Sequence, residues 1–366
     1  MKFVDLQAQY QAYKMEIDHQ ISDVLNTSAF IMGPAVKELE QQLAEYVDVK
    51  HAIGCSSGTD ALLLSLMAYN IQPGDEVVTT PFTFISTAEV ISLLGAKPVF
   101  VDVEEDTFNI DPNKIESVIT DKTRGIIVVD IFGQCADYTK INAIAKKNNF
   151  FVIEDAAQSF GAKYNDNMAC SLADTGCTSF FPAKPFGCYG DGGMIFTDDE
   201  EKASVLRSLL VHGKGGHKYE NVRIGINGRL DTLQAAILLA KFKYFPKEIE
   251  RRNEIARTYS EGLSSTVRTP FIENFNVSAW AQYSILVDNR DALQVFLKGH
   301  NVPTAIYYPN PLHIQTAFAE LGYKKGDFPV TEELSEKIIS LPMHPFLKPE
   351  EQKEVINQIN QFYSKG

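Results

Sequence analysis

Apolar positions along this chain follow three successive rhythms. Over residues 1–50 the pattern is mainly helical, with Val36, Leu39, Leu43 and Tyr46 recurring along one helix stripe. Beyond that, short apolar runs alternate with helical stretches such as Lys140–Asn149. The runs Glu76–Thr80, Pro98–Asp102, Gly125–Asp130 and Phe150–Asp155 are continuous rather than alternating, the mark of strands covered on both faces. Such strand–helix alternation predicts an α/β domain with a mostly parallel, doubly wound sheet. Near residue 245 the texture changes. A charged helix, Pro246–Leu263, leads into a section with fewer apolar runs, which reads as a smaller C-terminal α+β domain. The chain thus divides into 1–245, a large α/β domain with an N-terminal helical arm, and 246–366.

Composition narrows the function classes. The chain has 366 residues, 45% of them hydrophobic, ample for a large core. Lys and Arg number 34 against 47 Asp and Glu, a net charge of −13 with no long basic run. That balance disfavours nucleic acid and anionic membranes as partners. Cys55, Cys135, Cys170, Cys177 and Cys188 form no CxxC pair and read as reduced thiols of a cytoplasmic protein, without a zinc site. Met1–Leu6 lacks the apolar region of a signal peptide, and no stretch reaches the ~18 apolar residues of a membrane span.

Four segments carry candidate chemistry. Lys184 lies in Ser179-Phe-Phe-Pro-Ala-Lys-Pro-Phe-Gly187, an apolar, glycine-rich setting. Alone it reads as a loop lysine; desolvated, its amine becomes a nucleophile suited to a Schiff base with a carbonyl cofactor. Gly54-Cys-Ser-Ser-Gly-Thr-Asp60 runs into an apolar helix, whose free N–H groups either hold a phosphate or are capped by Ser57 or Thr59. The GxGxxG and P-loop patterns of dinucleotide and NTP sites are missing there. Asp155 closes an apolar strand at the carboxyl edge, where open α/β sheets bind ligands. It either pairs with a protonated ring nitrogen or caps a helix. Thr80–Thr87 brings Phe84 to another strand end, as a stacking ring or as core. In Gly225–Ala236, Arg229 suits a carboxylate or phosphate, or a structural ion pair.

Taken in order, Ser-Gly-Thr-Asp-Ala, Glu-Asp-Ala-Ala-Gln-Ser and Ser-Phe-Phe-Pro-Ala-Lys resemble the sugar-aminotransferase family often labelled DegT/DnrJ, over nearly the whole chain. Its members are pyridoxal-phosphate enzymes of the aspartate-aminotransferase fold (fold type I) acting on nucleotide-linked keto-sugars. The resemblance implies Lys184 as the Schiff-base lysine and Asp155 as partner of the ring nitrogen. It implies Gln158 beside the ring hydroxyl and Phe84 stacked on the ring. Gly58, Thr59 and Ser179 would hold the phosphate, and Asn227 would reach the phosphate of the neighbouring subunit in a homodimer with shared sites. Family members with histidine for the lysine are dehydratases; position 184 is lysine, which points to the aminotransferase branch.

A narrower likeness, in Gly133–Asp137, Phe181–Gly193 and Asn227–Ala236, is to UDP-2-acetamido-2-deoxy-3-oxo-glucuronate 3-aminotransferases, which make precursors of bacterial surface polysaccharide. It implies L-glutamate as donor, 2-oxoglutarate as product, and a cation for the uronate, with Arg229 the candidate. Tyr307, Tyr308 and His313 would line the nucleotide-sugar pocket, although the subgroup carries a histidine at position 307. Two alternatives stay open: a dTDP- or UDP-linked 4-keto-sugar (or dTDP-3-keto-sugar) as acceptor, and a pyridoxal-phosphate-binding regulator without turnover.

Overall fold

The computed structural model describes residues 1–217 and 219–364. Seven strands form one sheet: β1 (His51–Cys55), β2 (Glu76–Thr79), β3 (Lys97–Phe100), β4 (Thr123–Val129), β5 (Phe151–Asp155), β6 (Thr175–Ser179) and β7 (Gly193–Thr197). Their order is β1-β7-β6-β5-β4-β2-β3. β7 is antiparallel to both neighbours, and every other pairing is parallel. The four continuous apolar runs supply β2 to β5, at the covered centre and far edge of the sheet. Their residues feed two cores alternately: Val78, Ile126, Val128 and Val152 face one side, Val77, Ile127 and Ile153 the other. That double burial is why the runs are unbroken in sequence. The expected α/β architecture with a mostly parallel sheet is the observed one.

A third core lies in the C-terminal part. It joins Tyr259, Leu263, Tyr283, Leu293, Leu297, Val355 and Ile359, around the antiparallel pair β8 (Tyr283–Leu286) and β9 (Ile338–Leu341). The helix Phe245–Leu263 belongs to both regions. At its start Phe245 packs on Phe160 and Phe186, with ring centroids 5.5 and 4.8 Å apart. At its end Tyr259 sits 5.0 Å from the ring of Tyr283. The N-terminal helix Leu6–Thr27 buries Ile17 against Ile237 and Ala240 of the helix Thr232–Phe242. From it Gln9 Nε2 and Tyr13 Oη each donate to Glu248, at 2.9 Å. Among the described residues no helix is long and apolar enough to cross a membrane.

Candidate active site

The carboxyl edge of the sheet gathers the predicted groups. Asp155 ends β5 and is 5% exposed. Its Oδ2 accepts from the buried Thr87 hydroxyl at 2.8 Å, and its Oδ1 from the Ala157 N–H at 3.3 Å. Burial raises its pKa; the Thr87 hydrogen bond and the charge of Lys184 oppose that rise. Lys184 is pushed the other way: burial lowers its pKa, and Asp155 offsets part of the fall. Burial thus shifts the two groups in opposite directions, and each charge offsets part of the other's shift, a recurrent property of catalytic sites.

Lys184 is presented by a turn that closes on itself. Its N–H donates to Phe181 O at 2.9 Å, and Cys188 N–H donates to Phe180 O at 2.8 Å. Phe186, 2% exposed, anchors the turn in the aromatic core.

Gln158 is fixed in orientation. Its Oε1 accepts the Phe132 N–H at 2.8 Å, so its amide NH₂ faces the Tyr308 hydroxyl, 3.1 Å away. Tyr308 thus links the C-terminal part to the sheet edge. Phe84, 54% exposed, stands with its ring centroid 6.4 Å from that of Tyr308.

The phosphate candidates form a second corner. The helix Gly58–Ala68 starts under its cap Ser57, whose side chain accepts from Asp60 N–H at 3.0 Å. Among the described residues the N–H groups of Gly58 and Thr59 meet no acceptor in the chain, as at an open helix N-terminus. A Cβ on Gly58 would lie 2.6 Å from Ser179 Cβ, so only glycine lets the helix start and the Ser179 hydroxyl come this close. The Ser57 cap leaves the N–H groups of Gly58 and Thr59 free to meet an anion.

Asn227 and the four substrate candidates, Arg229, Tyr307, Tyr308 and His313, differ in exposure. Asn227 is exposed, while the half-buried Arg229 pairs by backbone with Cys55 and makes no ion pair among the described residues. Tyr308, Asn310, Ile314 and Gln315 line a groove of about 560 Å³, while Tyr307 is half-buried with its ring 6.4 Å from that of Phe3. His313 is not in the groove. It is 1% exposed, its Nε2 lies 3.0 Å from Glu332 Oε1, and its ring packs on Phe328. Its expected place in the pocket lining is corrected: the ring lies in the core beneath the groove. Thr87 carries no local signal in the sequence, because its hydroxyl meets Asp155 only in the fold.

A desolvated lysine amine, a buried carboxylate and an open helix start suit an aldehyde cofactor with a ring nitrogen and a phosphate. Pyridoxal phosphate is such a cofactor. The family model for the DegT/DnrJ/EryC1/StrS aminotransferase family matches residues 11–360, and the chain belongs to that pyridoxal-phosphate-dependent family. It is 49% identical over 348 residues to the UDP-2-acetamido-2-deoxy-3-oxo-D-glucuronate aminotransferase of Pseudomonas aeruginosa, covering 95% of this chain and 96% of that protein. The crystal structure of a DegT/DnrJ/EryC1/StrS aminotransferase from Brucella abortus superposes with a TM-score of 0.97 at 47% identity, covering 99% of both chains. NtdA from Bacillus subtilis, crystallised with bound cofactor PMP, matches with a TM-score of 0.91 at 30% identity, over 99% of this chain and 83% of that one.

Proposed function

We propose that this chain moves the amino group of L-glutamate to a nucleotide-linked keto-sugar, at C3 of UDP-2-acetamido-2-deoxy-3-oxo-glucuronate, in the making of bacterial surface polysaccharide. The observation that carries the chemistry is the opposed pair Lys184 and Asp155 at the sheet edge. The substrate rests on the Pseudomonas relative and on Arg229, a cation that makes no ion pair among the described residues and suits a uronate carboxylate.

When bound, pyridoxal phosphate supplies an electrophilic carbonyl and an electron sink. Lys184 Nζ would be the group that holds it, and the same amine would take the proton from the donor's Cα and later deliver it. Asp155 keeps a proton on the ring nitrogen, and Gln158 offers an N–H toward the ring hydroxyl. Phe84 covers the ring. The N–H groups of Gly58 and Thr59 and the Ser179 hydroxyl hold the phosphate. Asn227 reaches the phosphate held by a second copy, so the working unit is a homodimer. Tyr307, Tyr308 and Arg229 meet the sugar nucleotide between domains 1–245 and 246–366. Five buried, free cysteines fit a cytoplasmic setting.

The test presents the amino-loaded protein with a panel of nucleotide keto-sugars and locates the new C–N bond by NMR. Amination of a 3-oxo-uronate is expected; failure with every such acceptor rejects the substrate. Lys184→Ala is expected to lose multiple-turnover transamination, and a variant that kept it would reject the role of Lys184.

A further inference from the structure

A second lysine meets the turn that carries the first. Lys241, on the helix Thr232–Phe242, is 3% exposed and forms no salt bridge among the described residues. Its Nζ donates in a short contact to the carbonyl of Gly187, which closes the turn carrying Lys184. The ammonium also stands over the ring of Tyr189, 5.3 Å from the centroid. Gly187 is pressed against that turn, since a Cβ on it would lie 2.5 Å from Phe181 O and 2.6 Å from Pro182 O. The turn is tightly closed at Gly187, and the buried ammonium is the side-chain donor that meets the Gly187 carbonyl. A charged side chain stays in such a place only when its interactions outweigh desolvation.

The groups facing Lys241 come from three elements. Cys188 and Tyr189 belong to the turn. Glu248 and Arg252 belong to the next helix, and Tyr10 of the N-terminal helix meets Tyr189 edge-on, at 6.2 Å. Glu248 is held by Gln9 and Tyr13.

We propose that Lys241 is a positioning residue for Lys184: by gripping the Gly187 carbonyl its ammonium fixes the turn that presents the reactive amine, and the grip weakens when it loses its proton. This rests on Lys184 being the attachment point of the cofactor. Burial lowers the pKa of Lys241 to about 8, with Glu248 opposing the fall. Its neighbours titrate elsewhere: burial lifts Cys188 to about 11 and Tyr189 to about 12, and lowers Arg252 to about 10. A neutral amine still donates to a carbonyl, but without charge assistance the bond is roughly half as strong. Cofactor retention thus falls as pH rises through about 8.

The experiment follows release of pyridoxal phosphate from the holoenzyme into an excess of trapping apoenzyme, by loss of visible absorbance, across that pH range. Wild-type release is expected to quicken about tenfold, the size of effect lost with one charged hydrogen bond. Lys241→Met is expected to release fast at every pH, with no step, and Lys241→Arg to release slowly at every pH. Tyr189→Leu keeps Lys241 but removes the ring that favours its charged form, so the step moves to lower pH. This second variant decides the matter if Lys241→Met does not fold. A wild-type step and rate in Lys241→Met, or in Tyr189→Leu where Lys241→Met does not fold, would overturn the proposal. Borohydride trapping and peptide mapping separate the two readings. A label away from Lys184 rejects the attachment point, whereas a label on Lys184 with unchanged release rejects only the role of Lys241.

Discussion

At the scale of residues, the site is a set of groups whose charge the fold controls. Asp155 shows it most directly. Burial favours its neutral form, and the Thr87 hydroxyl at 2.8 Å favours its carboxylate. Replacing Thr87 by valine keeps the shape and deletes the donor, which raises the Asp155 pKa. The ionised form then appears only at higher pH. We expect the acid limb of the kcat profile to move upward, with a loss of about tenfold from one bond to a charged group. Thr87→Ser should restore both, and an unmoved limb in Thr87→Val would refute this role. Lys184 and Asp155 were legible in the sequence because strand ends and odd polar residues in apolar runs announce themselves. Thr87 and Lys241 were not, since their partners come from distant segments that no local spacing encodes. His313 misled for the same reason: Glu332, which makes its burial tolerable, lies on another element.

At the scale of elements, β2 to β5 could be read directly, because double burial writes itself as unbroken apolar runs. β1, β6 and β7 were harder. β6 is Thr-Gly-Cys-Thr-Ser, and its Gly176 is required by packing: a Cβ there would lie 2.2 Å from Cys170 O. Tertiary fit, rather than propensity, places such a strand.

The sheet also hides a carboxyl pair. Asp130 and Glu154 are both 0% exposed. Asp130 accepts from Ala136 N–H at 3.0 Å, Tyr138 Oη at 3.1 Å and Ser159 Oγ at 2.9 Å, and Glu154 from Leu172 N–H at 3.0 Å. Burial pushes Asp130 up to about 7 and Glu154 well above its usual range. An unfolded Asp titrates near ~3.9, so between the two values the native state binds more protons and stability falls as pH rises. Asp130 contributes up to ~1.4 kcal/mol per pH unit to that slope. Asp130→Asn should flatten it in urea unfolding between about pH 4 and about pH 7. A slope equal to wild type would contradict this account.

At the scale of the whole molecule, apolar surface gathers near Asn227. Ile224 is 88% exposed and Val222 55%; Ile31, 54% exposed, reaches the same segment through its backbone pairing with Asp231. We place the contact of the proposed homodimer on these exposed apolar groups. Ile224→Glu is expected to leave the fold intact by circular dichroism, shift the protein to monomer in sedimentation, and lower cofactor retention as Asn227 loses its target. A dimer that survived with full retention would place the interface elsewhere.

The antiparallel strand β7 has a consequence for how the chain comes into being. β1 leaves the ribosome early, yet its hydrogen-bonding partner, paired from His51↔Thr197 to Cys55↔Gly193, is made only after all the other strands of the sheet. Until then the nascent sheet has an open flank, of the kind that invites strand addition by another chain. The turn bearing Lys184 is translated just before β7, so the strand that seals that flank also completes the frame of the active site.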